Sequence, residues 1–116
     1  MAPGTHIAAL GADKVGDQEL DPMILQRPRI FADDIRQCRT DSEINVPLRH
    51  ELIKEQDIAG DIGEVIAGSK PGRVSDLEIT LFDSTGIALL DSATVPLEYK
   101  RAVAPGVGVE MKIIST

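Results

Sequence analysis

The sequence predicts an α/β fold, in which a parallel sheet of about three strands is flanked by helices and a further strand follows at the C-terminus. Short apolar runs alternate with helical patterns along the chain, an order typical of parallel strands joined by crossover helices. Aromatic residues make up only 3% of the sequence and Trp is absent. The core must therefore consist of Ile, Leu, Val and Ala, which suit parallel strands packed against helices. We expect a single domain over residues 1–116.

Three segments have the pattern of buried strands. Residues 6–11 form a short apolar run that ends in glycine, and residues 29–33 form a second such run. The strongest strand pattern lies at residues 78–82. At the end of the chain, apolar and polar residues alternate over residues 109–114, which predicts a half-buried strand.

Short helices are expected between the first strands. Asp21 and Pro22 suit the N-cap and the first position of a helix. A second short helix is expected over residues 34–39. After a loop at residues 41–45, Pro47 is placed to open a third.

Two longer helices are expected in the second half of the chain. Asp57 is placed to cap the first helix and Gly68 to end it. Its apolar face has the spacing i, i+4, i+7 and i+8, and consists of Ile58, Ile62, Val65 and Ile66. The second helical pattern covers residues 87–103 and contains Pro96. Because an interior proline costs about 3 kcal/mol, we expect a kink or a break there.

Composition excludes several classes of function. The net charge is −7 and the isoelectric point is about 4.7, which disfavours nucleic-acid binding because phosphate contacts need clustered Lys and Arg. Cys38 is the single cysteine, so no internal disulfide can form. No apolar run approaches the roughly 20 residues of a membrane span. Neither histidine has a metal-ligand spacing. We therefore expect a cytoplasmic protein without a metal site or a membrane partner.

Two of the predicted strands end in polar turns that suit a ligand site. Leu10 is followed by Gly11, Ala12 and Asp13, and Phe82 is followed by the segment 83–86. In each turn a small residue lets the backbone approach a ligand, beside a carboxylate or a hydroxyl group. In a parallel sheet such turns meet at the carboxyl edge of the strands. The alternative is that Asp83 and Ser84 only cap the next helix and that Gly11 only permits a tight turn.

Two glycine-rich segments fall short of known phosphate-binding motifs. Residues 63–70 have the glycine spacing of a Walker A loop, but they end in the order Ser-Lys and lie in an expected helix. Gly106 and Gly108 are followed by Met111 where the G-x-G-x-x-G motif needs its third glycine. A plain helix end and a loop explain these segments, and the pyrophosphate cradle is absent.

Several segments resemble the ornithine cyclodeaminase/mu-crystallin family, and most closely its alanine dehydrogenase-like members. They are residues 4–7, 11–13, 18–21, 63–68, 72–73 and 79–88, followed by Asp91. The resemblance covers nearly the whole chain, but only the C-terminal portion of the longer family enzymes. It implies the second half of a Rossmann-like NAD(P)-binding domain, with the segment that returns to the substrate domain.

The resemblance also implies roles for individual residues. Asp13 matches a catalytic residue that transfers a proton beside the nicotinamide and the substrate amine. Its negative charge would stabilise the cationic imine that forms as hydride leaves the substrate. Gly11 and Ala12 match the loop that approaches the nicotinamide. Ser84, with Thr85 beside it, matches the cofactor contact, and the implied cofactor is NAD or NADP.

Two departures and several absences shape what we expect of the chain, and one departure is Pro96, which falls where the family's helix normally continues. Asp17 stands where the family usually has a lysine of the cofactor site, so the charge is reversed. The family's catalytic lysine, its substrate-binding arginine and its phosphate loop would lie before Met1. We expect no turnover by this chain alone, which would be a truncated or split piece that needs a complementing N-terminal polypeptide. The alternative is a stand-alone assembly module, in which the strand at residues 109–114 favours a homo-oligomer.

Overall fold

The computed structural model describes residues 1–12 and 14–112 and divides into two compact units, Met1–Gly86 and Ile87–Thr116. The first unit contains four strands, three short α-helices and two 3-10 helices. Its strands are β1 (His6–Ala9), β2 (Arg29–Ala32), β3 (Ile58–Asp61) and β4 (Thr80–Asp83). Its helices are α1 (Ile35–Asp41), α2 (Asn45–Arg49) and α3 (Ile62–Ile66), with 3-10 turns at Pro22–Gln26 and Glu55–Asp57. The second unit contains α4 (Ala88–Val103).

The four strands form one parallel sheet in the order β1-β4-β2-β3. In the register of this sheet, Ala9 of β1 and Ala32 of β2 both pair with Asp83 of β4. The predicted α/β class with a parallel sheet is confirmed, and three of its strands fall where the sequence places them. The sheet has four strands instead of about three.

The additional strand β3 corrects the helix that was expected to start after Asp57. Residues Ile58–Asp61 pair in parallel with β2, and α3 begins only at Ile62. The helical spacing of the apolar residues therefore runs across a strand and a helix. Ile66, the last member of the expected apolar face, is 80% exposed. The Glu64 carboxylate accepts a hydrogen bond from the backbone N of Asp61 at 3.1 Å and so fixes the start of α3.

The core lies between one face of the sheet and the helices α1 and α2. Because side chains alternate along a strand, the paired residues Ala9, Asp83 and Ala32 all point to this face. The buried apolar cluster consists of Ala9, Leu25, Ile30, Ala32, Cys38, Ile44, Ile53, Ile58 and Leu81. The two alanines leave room close to the sheet edge, where polar side chains pack against Asp83.

The α4 helix runs from Ala88 to Val103 and continues past Pro96, so of the expected kink or break only the break is wrong. Proline removes one backbone hydrogen bond, but none of the described α4 residues is buried, and water can therefore satisfy the freed carbonyl. Residues 109–112 form no strand, and the remaining residues of the expected strand, 113–114, lie outside the described part of the chain. No described helix is long and apolar enough to cross a membrane.

Candidate functional site

The candidate site lies at the carboxyl edge of three neighbouring strands. The backbone N of Ser84, after β4, donates to the carbonyl of Ala9 in β1 at 3.0 Å. The backbone N of Asp33, after β2, donates to the carbonyl of Asp83 at 3.1 Å. These two hydrogen bonds continue the pairing of the strands by one residue beyond the ends of β4 and β2. The turns that follow β1 and β4 therefore start from directly bonded strands.

Four of the five predicted site residues can be placed at this edge. Gly11 is exposed and Ala12 is buried in the turn after β1, whereas Ser84 is buried and Thr85 is half-buried in the turn after β4. Asp13, the predicted catalytic residue, lies outside the described residues. The sheet thus brings the two predicted turns to one edge.

Gly11 is held close to another segment of the same loop. A Cβ atom added at this position would collide with the Glu19 carboxylate, so a larger residue would have to displace that side chain. Further along the loop, the buried Glu43 carboxylate accepts hydrogen bonds from the backbone N of Glu19 at 2.5 Å and of Leu20 at 3.1 Å. The C-terminal end of the loop is therefore fixed by a buried side chain.

Asp33 joins the turn after β4 to the start of α1, a role that the sequence did not reveal. Its Oδ2 accepts hydrogen bonds from Ser84 Oγ at 2.7 Å and from the backbone N of Gly86 at 3.0 Å. Its Oδ1 accepts from the backbone N of Asp34 at 2.7 Å and from Cys38 Sγ at 3.3 Å. The only signal in the sequence was its place directly after a strand.

The two hydroxyl groups of the turn after β4 differ in their surroundings. Ser84 Oγ donates to Asp33 and also accepts from the backbone N of Gly86 at 3.2 Å. Thr85 Oγ1 is buried and has no hydrogen-bond partner among the described residues. Within this turn, the Thr85 hydroxyl is therefore the one that no described residue holds by a hydrogen bond.

Asp83 bonds to the segment between α1 and α2. Its Oδ2 accepts from Ser42 Oγ at 2.5 Å and from the backbone N of Ile44 at 3.1 Å, whereas Oδ1 is buried without a partner among the described residues. Burial, opposed by these hydrogen bonds and aided by the charge of Glu43, raises the pKa of Asp83 to about 6. The N-cap of α4 is Ile87, which makes no side-chain capping bond. The alternative that Asp83 and Ser84 only cap the next helix is therefore wrong.

A separate cavity of about 280 Å³ lies on the other face of the sheet, and its polar lining residues are His6, Arg73 and Thr80. His6 Nδ1 and Thr80 Oγ1 share a hydrogen bond of 2.8 Å at the amino ends of β1 and β4. Arg73 Nη2 donates to the same hydroxyl at 2.9 Å. This cavity is distinct from the carboxyl edge. Among the described residues, no group of three or more His, Cys, Asp or Glu could hold a metal ion.

Comparison with known proteins gives consistent matches over nearly the whole chain. A model described as "Ornithine cyclodeaminase/mu-crystallin family" matches residues 1–105. The alanine dehydrogenase of Archaeoglobus fulgidus is 49% identical over 109 residues, which cover 94% of this chain and 34% of that protein. The chain thus spans about a third of the length of the curated relatives it matches.

Solved structures match in the same way. An archaeal alanine dehydrogenase dimer with bound NAD has a TM-score of 0.83 and 46% identity, over 98% of this chain and 36% of that one. The Δ1-pyrroline-2-carboxylate reductase of Thermococcus litoralis, in complex with NADH and L-proline, has a TM-score of 0.84 and 33% identity, over 96% of this chain and 35% of that one.

Proposed function

This chain belongs to the ornithine cyclodeaminase/mu-crystallin family, and from that membership we propose that residues 1–116 form the nicotinamide side of an NAD(P)-binding domain, with its returning segment. The observation that carries the proposal is the carboxyl edge of the sheet. There the turn containing Gly11 and Ala12 and the turn containing Ser84 and Thr85 follow directly bonded strands. In open α/β sheets, ligands bind outside this edge.

The residues of these turns have distinct proposed roles. Gly11 and Ala12 allow the nicotinamide to approach the backbone. Ser84 and Thr85, in the turn after β4, form the other side of the same cofactor site. Nicotinamide cofactors supply hydride transfer, here between the cofactor and the α-carbon of an amino or imino acid. Asp13 is the proposed catalytic residue, because a carboxylate beside the substrate nitrogen stabilises a cationic imine and can exchange a proton with it. The solved relatives with NAD and with NADH and L-proline support this class of cofactor and substrate.

A complementing N-terminal polypeptide is the proposed partner for activity. The sequence contains no G-x-G-x-x-G motif to cradle a pyrophosphate. We therefore expect no turnover by this chain alone, and substrate-dependent NADH production once a polypeptide that carries the phosphate loop is added. Continued inactivity with every such family polypeptide would count against a split enzyme.

Calorimetric titration of the chain with NAD⁺, NADH and NADPH tests the proposed site. We expect measurable binding of at least one dinucleotide, and a several-fold loss of affinity in Thr85→Val, which keeps the shape of the side chain but removes one hydroxyl. Thr94→Val is the matched control, since Thr94 is exposed on α4. Flat titrations with all three dinucleotides would overturn a cofactor site within this chain.

A second proposed function is self-association, and the surface of α4 favours it. Apolar side chains along this helix are strongly exposed, with Leu89 at 72%, Tyr99 at 68% and Val103 at 56%. The similar archaeal alanine dehydrogenase was solved as a dimer. We expect light scattering at micromolar concentration to give the mass of a homo-oligomer, and Leu97→Glu to shift it toward the monomer. A wild-type monomer would refute this proposal.

A further inference from the structure

The carboxylate of Asp33 receives four hydrogen-bond donors from two separate segments. We propose that Asp33 is a positioning residue, which holds the Ser84–Gly86 turn in the conformation that presents Thr85 to the dinucleotide. This inference rests on the function proposed above. It makes the shape of the cofactor-binding turn depend on a residue that directly follows the neighbouring strand β2.

The geometry around Asp33 divides its two oxygens between two tasks. Oδ2 takes both of its donors from the turn, namely Ser84 Oγ at 2.7 Å and the backbone N of Gly86 at 3.0 Å. Oδ1 takes both of its donors from the beginning of α1, namely the backbone N of Asp34 at 2.7 Å and Cys38 Sγ at 3.3 Å. Asp33 itself is only 7% exposed. The turn is thus fixed to the rigid end of β2 by charge-assisted bonds.

This arrangement requires a carboxylate at position 33. An asparagine has the same size but only one acceptor oxygen, and its NH₂ group is a donor. In either orientation of the amide, the NH₂ group would face two donors, so either the hydrogen bonds to the turn or those to the beginning of α1 would be lost. We call these four hydrogen bonds of Asp33 the clamp. An unpaired buried donor is expensive, which is why the turn should loosen rather than stay in place.

The clamp also decides which hydroxyl of the turn is available. The single hydroxyl proton of Ser84 is committed to Asp33, and its oxygen already accepts from the backbone N of Gly86. Thr85 Oγ1 has no such partner among the described residues. If Asp33 releases the turn, the position of Thr85 is no longer fixed, and its contribution to binding should disappear.

Asp33→Asn in the full chain tests the inference with two measurements. Without ligand, we expect the Gly86 amide to exchange with solvent about 10-fold faster by NMR, while the Leu81 amide in β4 keeps its protection. With NADH, we expect affinity to fall about 10-fold and Thr85→Val to have no further effect in this background. Asp34→Asn is the matched control, because it removes the same charge one residue away while Asn remains a good N-cap for α1.

The outcomes separate this inference from the proposed function. Unchanged Gly86 exchange, equal acceleration at Leu81, or additive effects of the Asp33 and Thr85 substitutions on NADH affinity would each overturn it. If the wild-type chain binds no dinucleotide, the proposed function fails. The Gly86 exchange in Asp33→Asn then decides by itself whether the clamp exists.

Discussion

Replacing Asp83 with asparagine would remove a buried charge while keeping the acceptor that its hydrogen bonds require. Asp83 is fully buried, and its Oδ2 accepts from Ser42 Oγ and from the backbone N of Ile44. The amide oxygen of an asparagine can accept both. Burial is the largest influence on Asp83 and raises its pKa from 3.8 to about 6, more than the hydrogen bonds lower it.

This pKa shift predicts both the sign and the size of the effect on stability. The folded chain binds the Asp83 proton more tightly than the unfolded chain does. The resulting stabilisation is fully present below pH 3.8 and is lost as pH rises through about 6. At about 1.36 kcal/mol per pKa unit, the loss amounts to about 3 kcal/mol. Asparagine does not titrate, so the free energy of unfolding of Asp83→Asn should rise relative to wild type by up to about 3 kcal/mol between about pH 4 and pH 7.

Urea unfolding of both proteins over this pH range measures the difference. A buried NH₂ group without an acceptor costs about 1–3 kcal/mol, but this offset is the same at every pH. Glu64→Gln is a control with the opposite sign, because hydrogen bonds from the backbone of Asp61 and from Lys70 lower the pKa of Glu64. Its contribution is present above pH 4.5 and is lost as pH falls. A difference between Asp83→Asn and wild type that does not change with pH would refute the reasoning.

Three further predictions concern the thiol, the core and two glycines. Burial raises the pKa of Cys38 to about 12. Thiol reagents at neutral pH should therefore label Cys38 only as fast as the chain unfolds, and labelling at the rate of a free thiol would contradict this prediction. In urea titrations, Ile58→Ala should destabilise the chain by about 2–5 kcal/mol, whereas Val74→Ala, at a side chain that is 64% exposed, should change stability by under about 0.5 kcal/mol. Equal effects would contradict the placement of β3 in the core. In thermal melts, Gly86→Ala should destabilise the chain by about 1–2 kcal/mol, because the backbone φ of Gly86 is 79°. Gly63→Ala should stabilise the chain by up to about 1 kcal/mol, because Gly63 lies in α3 and open space surrounds the position of an added Cβ. The reverse order of these two effects would contradict the backbone assignment.

Much of the fold could be predicted because its signals are local. Three strands are short apolar runs, and the periodicity of such runs is visible in any window that contains them. One helix start was predicted from its capping residue, and a second start has a cap of the same type. Asp21 accepts from the backbone N of Met23 at 2.9 Å, and Asp34 accepts from the backbone N of Arg36 at the same distance. Such caps depend on residues two positions apart, so the sequence alone reveals them.

The fourth strand was missed because its evidence is not local. The strand Ile58–Asp61 has four residues and passes directly into α3, so its apolar residues continue a helical spacing by coincidence. What makes it a strand is pairing with β2, which lies far earlier in the chain. Tertiary pairing of this kind overrides a helical pattern, and no window of sequence that contains only residues 58–61 can show it.

The candidate site could be predicted only as far as its backbone. Gly11, Ala12, Ser84 and Thr85 were placed at one edge because parallel strands end on the same side of a sheet. The partnership between Asp33 and Ser84 could not be predicted, since the two residues are 51 positions apart and the bond depends on which face each side chain adopts. The different hydrogen-bond partners of the neighbouring acids Asp33 and Asp83 follow from a register that the sequence does not contain.

The distribution of charge at this edge favours the nicotinamide over the pyrophosphate of a dinucleotide. Asp33, Asp83 and Glu43 are all buried at or beside the ends of β2 and β4. Buried carboxylates repel phosphate groups but attract the cationic nicotinamide ring of NAD⁺. Pyrophosphate is held instead by glycine-rich loops and helix N-termini, and the sequence contains no G-x-G-x-x-G motif. Both observations support the division of the cofactor that we propose, in which its nicotinamide lies at this edge and a separate polypeptide holds its phosphates.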